Sequence, residues 1–239
     1  MVTPQRKTRR ALACCCACLI FWIDISAAEA SPAEPSQCFG STSSGTLKNG
    51  VALPRYGDNF STYSSLAHVL GRTYVHSTVK QIVLQAYEEL SHPHPDTVFV
   101  YGETGFKEGG EFKPHKTHRN GLSVDFMVPV VDKQGVSRPL PTHPLNKFGY
   151  DIEFDGQGRF DGLTIDYAAM AAHIAALHRA ALQSGVDIWR VIFDPQLQPY
   201  LFDTAYGPYL QKHIQFSTRR SWVRHDEHYH VDFAVPCLP

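Results

Sequence analysis

Two short stretches concentrate groups able to bind a metal or move protons. One runs His115-Lys116-Thr117-His118-Arg119-Asn120-Gly121-Leu122-Ser123-Val124-Asp125; the other runs His225-Asp226-Glu227-His228-Tyr229-His230-Val231-Asp232. Residues 229–235 read as a strand, and side chains two apart on a strand share a face. His228 and His230 then present two imidazoles about 7 Å apart at the backbone, close enough to converge on one site. One can bind a metal while its neighbour stands beside the metal's water. Asp232 falls on the same face and can orient either ring. In the first stretch, Asp125 sits on an expected strand opposite Leu122, Val124 and Phe126. His118 lies seven residues earlier in a loop, and Gly121 lets the backbone turn so that the histidine folds back toward the carboxylate. His118, Asp125 and one histidine of the second stretch make a His₂Asp set. Three protein ligands with a fourth position for water is the pattern of catalytic zinc, whereas structural zinc more often takes four ligands, usually including cysteine.

Several elements must hold these groups. Apolar spacing predicts a helix over 75–90, ending before His92-Pro93. Residues 97–101 read as a buried strand, 102–120 as a Gly-rich loop, and 122–130 as a strand. Asp155-Gly156-Gln157-Gly158 reads as a turn between extended pieces at 150–154 and 159–165. Asp166 caps an Ala-rich helix to 183, stopped by Ser184-Gly185. Residues 186–193 read as a strand, and 195–214 as one or two helices broken near Pro208. The hairpin-like turns favour an α+β fold with a central antiparallel sheet and flanking helices. His68, His76, His173, His178 and His213 are assigned to surfaces or to satisfied core positions.

The chain has 239 residues with 22 Lys and Arg against 23 Asp and Glu, a net charge of −1. That balance excludes nucleic-acid binding by phosphate neutralisation. Arg6, Lys7, Arg9 and Arg10 precede a short apolar run, 11–22, that holds four of the six cysteines. This reads as a secretory signal, cleaved after Ala30, with a retained anchor as the alternative; no other membrane contact is expected. Residues 31–239 then form one domain of net charge −3 in the periplasm. Its two cysteines, Cys38 and Cys237, read as one disulfide, since an even pair in an exported protein normally pairs.

The motifs together resemble those of a known group. His-x6-Asp followed much later by His-x-His is similar to the LAS metallopeptidases, which include lysostaphin-type and D-Ala-D-Ala enzymes. Within that group the chain resembles the penicillin-insensitive murein endopeptidase family. The likeness extends to Ser44-Gly45-Thr46-Leu47-Lys48-Asn49-Gly50, to Glu108-Gly109-Gly110 through His118, and to Ser221-Trp222-Val223-Arg224-His225-Asp226-Glu227-His228-Tyr229-His230.

The resemblance implies zinc on the sheet face, held by His118, Asp125 and His230. It implies that His228 is the catalytic histidine, acting as base or stabilising the transition state, with His225 as a second active-site histidine. Trp222 would lie in the substrate cleft, and His115 would be an additional or alternative metal ligand. The implied activity is β-lactam-insensitive hydrolysis of peptidoglycan cross-bridges between D-alanine and meso-diaminopimelate. The family often carries an aspartate where Ser123 stands, and a small residue there is instead common in the related carboxypeptidases and dipeptidases, so a D,D-carboxypeptidase or D-Ala-D-Ala dipeptidase is the nearest alternative. A non-catalytic zinc module that binds peptidoglycan is the alternative from another class. The sequence does not specify the oligomeric state.

Overall fold

The computed structural model describes residues 34–221 and 223–239. The expected leader at 1–30 and Trp222 therefore lie outside the described residues. A five-stranded sheet organises the molecule. Its strands are β1 (Phe60–Thr62), β2 (Phe99–Tyr101), β3 (Ser123–Met127), β4 (Ile188–Ile192) and β5 (His228–Phe233), in the spatial order β4-β5-β3-β2-β1. Pairing is antiparallel except at one edge, where β1 runs parallel to β2. The expected antiparallel sheet is thus mixed.

Two helices cover one face of this sheet. Helix α1 (Ser77–Leu90) buries Val79, Ile82, Val83, Ala86, Tyr87 and Leu90, a stripe at helical spacing. It starts two residues later than its apolar pattern suggests. Val75 instead pairs with Val51 in a small ladder, and His76 caps the helix by accepting the Thr78 N–H at Nδ1. Helix α2 (Tyr167–Gln183) has Asp166 as its cap, accepting from Ala169 N, and ends at Ser184 with Gly185 at positive φ. Its alanines favour the helix and allow close packing against α1. The 195–214 region forms two helices, Gln198–Phe202 and Gly207–His213, and Pro208 opens the second.

The turn at 155–158 exists, but it does not join two strands. Residues 150–154 form no strand; the hairpin pairs Arg159–Phe160 with Leu163–Ile165 around Asp161-Gly162. Both turn residues have positive φ, 43° and 78°, as an Asp-Gly type I′ turn requires. The signal was in the dipeptide rather than in the preceding glycines. The Cys38–Cys237 disulfide is formed, tying the N-terminal hairpin Gln37–Ser41/Ser44–Lys48 to the C-terminal segment. Among the described residues no helix is long and apolar enough to cross a membrane.

Candidate metal centre

The uncovered face of the sheet carries the polar cluster. On β5, His228, His230 and Asp232 point away from the helices, while Tyr229, Val231 and Phe233 join the core. In the antiparallel register His230 lies opposite Asp125, and Asp232 opposite Ser123. A β5 histidine and the β3 carboxylate are therefore cross-strand neighbours, which brings their side chains into contact. His118 arrives from the loop before β3. Its own φ is +67° and that of Gly121 is +76°, so the chain doubles back twice. A Cβ at Gly121 would lie 2.8 Å from His76 N, leaving no room for a side chain.

Three atoms converge there. His118 Nε2 is 3.2 Å from Asp125 Oδ1, and His230 Nδ1 is 2.8 Å from the same oxygen. Each group is held from behind. The His118 Nδ1–H donates to the Thr104 carbonyl at 3.0 Å, which leaves a lone pair on Nε2. That buried Nε2 has no hydrogen-bond partner, yet it faces a carboxylate oxygen. Two lone pairs so placed call for a cation between them. His230 Nε2 meets Asp232 Oδ1 at 2.9 Å, leaving Nδ1 to face Asp125. The Tyr150 hydroxyl donates to Asp125 Oδ2 at 3.0 Å. For zinc bonds of about 2.0–2.1 Å, tetrahedral ligand atoms stand roughly 3.3 Å apart, close to what is seen. The residues fit a zinc ion.

His115 also reaches the cluster, and His115, His118 and Asp125 form a group that could bind a metal ion. The His115 Nδ1 lies 3.9 Å from Asp125 Oδ2, while Nε2 is held by Glu103 Oε2 at 2.5 Å. Glu103 is clamped by Arg72, and His115 and Arg72 together outweigh its burial and hold its carboxyl down at about 2.

Charge separates the histidines. Burial alone would keep His230 neutral, but Asp232 and Asp125 reverse this and raise its pKa to about 10. For His228, burial is outweighed by Glu227 and Asp125, so its pKa rises too. Glu227 Oε1 accepts from His228 Nδ1 at 2.7 Å, leaving Nε2 3.8 Å from Asp125 Oδ2. His225 goes the other way: burial and the neighbouring His228 press its pKa down to about 3. Its Nδ1–H donates to the Val223 carbonyl at 3.0 Å, so Nε2 is an acceptor. The two rings stand 4.6 Å apart. Arg224 anchors the segment that carries His225, donating to Asp194 at 2.6 Å and to the Phe154 carbonyl at 2.5 Å.

A cleft of about 650 Å³ opens over the cluster, with His225, His228 and His230 in its lining. The structure thus brings His115, His118, Asp125, His225, His228 and His230 together. It adds residues that sequence reasoning missed: Glu103, Tyr150, Glu227 and Arg190. Glu227 lay inside the quoted motif. The other three come from distant elements and carry no local signal.

Residues 38–237 match the family model of penicillin-insensitive murein endopeptidase. The chain belongs to that family. No curated protein matches the sequence. Family membership makes it a peptidase acting on murein.

Proposed function

We propose that this murein endopeptidase is a zinc enzyme that hydrolyses peptidoglycan cross-bridges between D-alanine and meso-diaminopimelate, exported to the periplasm by its leader. The observation carrying this reading is the convergence of His118 Nε2, Asp125 Oδ1 and His230 Nδ1 beside two further histidines. A bound zinc supplies Lewis acidity, acidifying water and polarising the scissile carbonyl.

The protein groups supply the rest. His118, Asp125 and His230 are the ligands, each oriented by a partner: the Thr104 carbonyl, Tyr150 and Asp232. His228 is the proton-transfer histidine: at Nε2 it takes the proton of the attacking water and passes it to the leaving amine, while Glu227 holds its Nδ1–H and favours the charged form between the two transfers. His225, kept neutral by burial and by His228, stands beside that ring with its Nε2 as an acceptor. No serine or cysteine nucleophile takes part, so a β-lactam has nothing to acylate.

The test is incubation of the purified chain with cross-linked muropeptide dimers, with and without chelator. Monomers should appear, stop with chelator and resume on adding zinc. Free D-alanine without monomers would make it a carboxypeptidase. Zinc binding with no product would make it a binding module.

A further inference from the structure

One cation at the floor of the cleft has donors that the proposed mechanism does not use. Arg190 lies on β4, directly opposite Asp232 in the β4–β5 register, and Ile192 lies opposite His230. Both line the cleft. The Arg190 Nε donates to Asp232 Oδ2 at 2.7 Å, and its guanidinium carbon sits 4.4 Å from the centre of the Trp189 ring. Those two contacts fix the plane of the group. They use one of its five N–H donors. Among the described residues, no hydrogen bond occupies Nη1 or Nη2. The side chain is 31% exposed, so a pinned guanidinium presents an open fork to the cleft.

Arg190 Nε is the partner of Asp232 Oδ2 among the described residues, and that bond leaves the two outer nitrogens of the guanidinium free. Asp232 Oδ1 takes the Ser123 hydroxyl at 2.5 Å and His230 Nε2 at 2.9 Å. Lys147, on the rim, is already paired with Asp151 at 2.8 Å. A planar, bidentate donor held by its inner edge with the outer edge open is suited to a carboxylate. Its place in the sheet says where that carboxylate would be. Arg190 stands one strand beyond His230 on the side away from Asp125 and two residues along from Ile192, the residue opposite His230, so it is a diagonal neighbour about 7–8 Å away at the backbone. A carboxylate on the carbon of the leaving nitrogen lies about 4 Å from the scissile carbonyl carbon, on the leaving-group side of the bond.

We propose that Arg190 is a substrate anchor that reads a free carboxylate on the carbon bearing the leaving amine. The inference rests on the endopeptidase reading and sharpens it. In a D-alanyl–diaminopimelate bridge, the residue donating the amine is the partner that can keep a carboxylate next to the bond, because the other partner's carboxyl is the scissile carbonyl. An amide at that position removes the charge and puts an N–H₂ donor against the fork.

The experiment compares zinc-loaded parental protein, Arg190→Gln and Arg190→Lys on two muropeptide dimers. One carries the free carboxylate beside the scissile bond; the other carries its amide. Zinc content is measured in parallel. The parental protein should favour the carboxylate dimer in kcat/KM. Arg190→Gln should lose about 10- to 100-fold on that dimer, the size of a charge-assisted pair, and change less than about 3-fold on the amide. Arg190→Lys keeps a charge beside Asp232 but lacks the fork, and should lose most of the preference while retaining zinc. An equal loss on both dimers, or an unchanged preference in both variants, overturns the proposal.

A second readout does not depend on turnover. Titration of the same zinc-loaded proteins with N-acetyl-D-alanine and N-acetyl-D-alaninamide should show acid preferred over amide in the parental protein, with the preference reduced in Arg190→Gln. A preference that survives the substitution means that the metal alone reads the carboxylate, which also overturns the proposal. Should the parental protein cleave neither dimer, the endopeptidase reading fails, and this binding comparison still decides the role of Arg190.

Discussion

The two faces of the central sheet bury histidines to the same degree and use them in opposite ways. His173 projects from α2 onto the helix-covered face, among the rings of Tyr87, Phe99 and Phe126, and bonds the Tyr229 hydroxyl. Burial drives its pKa down to about 3, with no charge nearby to resist. His230 sits one residue from Tyr229 on the other face and is equally enclosed, yet its pKa rises to about 10 between Asp125 and Asp232. Burial therefore does not distinguish a packing histidine from a chemical one. The carboxylates beside it do, and a single strand sorts the two environments by alternation.

The sharpest way to break this contrast is to remove a ligand. Asp125→Ala or His118→Ala should lose both bound zinc and cross-bridge cleavage, measured by metal analysis and dimer hydrolysis. His228→Ala should keep zinc near one per chain while cleavage falls about 10²- to 10⁴-fold, as loss of an acid–base group does. Cleavage by His228→Ala at the parental rate would remove that residue from the mechanism.

Much of this centre was readable before folding because its geometry is local. A strand's period of two places His228 and His230 on one face whatever the rest of the chain does. The glycine at 121 signals a turn wherever it falls. The supporting groups depend instead on strand order. Arg190 reaches Asp232 because β4 borders β5, and Tyr150 reaches Asp125 from a loop 25 residues away. No spacing rule links those pairs. The same holds for the edge strand: residues 60–62 are too short a run to announce that β1 pairs parallel with β2. Asp161-Gly162 differs, because its hairpin signal was present and was outweighed by the glycines just before it.

His173 and His230 should also answer to pH in opposite directions. The folded pKa of His173 is depressed, so its contribution is present above the usual 6.5 and is lost as pH falls toward about 3. Unfolding takes up a proton in that window, and stability rises with pH by about 1.4 kcal/mol per unit for each such group. The folded pKa of His230 is raised, so in chelated protein its contribution is complete below 6.5 and is lost as pH climbs to about 10. Urea denaturation of chelated protein should show both limbs. His173→Leu should flatten the slope between pH 4.5 and 6.5 relative to the parent, the contribution of Asp226, whose carboxyl burial raises to about 7, being common to both proteins. His230→Gln should flatten the slope above 6.5. Zinc should remove the His230 share of the alkaline limb, because it occupies the nitrogen that otherwise holds the proton, and leave the share of His228, whose pKa is also raised. An alkaline limb as steep with zinc bound as without it would mean that His230 is not a ligand.

The smallest expected effect tests whether the faces are independent. Tyr229 lies between His228 and His230 in sequence, but its hydroxyl bonds His173 in the core. Tyr229→Phe removes that hydrogen bond and keeps the ring, which packs on Phe126 at 5.4 Å. It should cost about 1–3 kcal/mol, because His173 Nδ1 is left buried without a partner. His173→Leu combined with Tyr229→Phe should recover part of that loss, since replacing both partners leaves no orphan. Zinc affinity and cleavage per folded molecule should stay within about 3-fold of the parent in Tyr229→Phe. The β5 backbone is fixed by pairing on both sides, with β4 and with β3, so a softened core contact need not move His228 or His230. If Tyr229→Phe instead lowers zinc affinity tenfold while the protein remains folded, the core histidine and the metal centre are coupled through the strand, and the alternation does not insulate one face from the other.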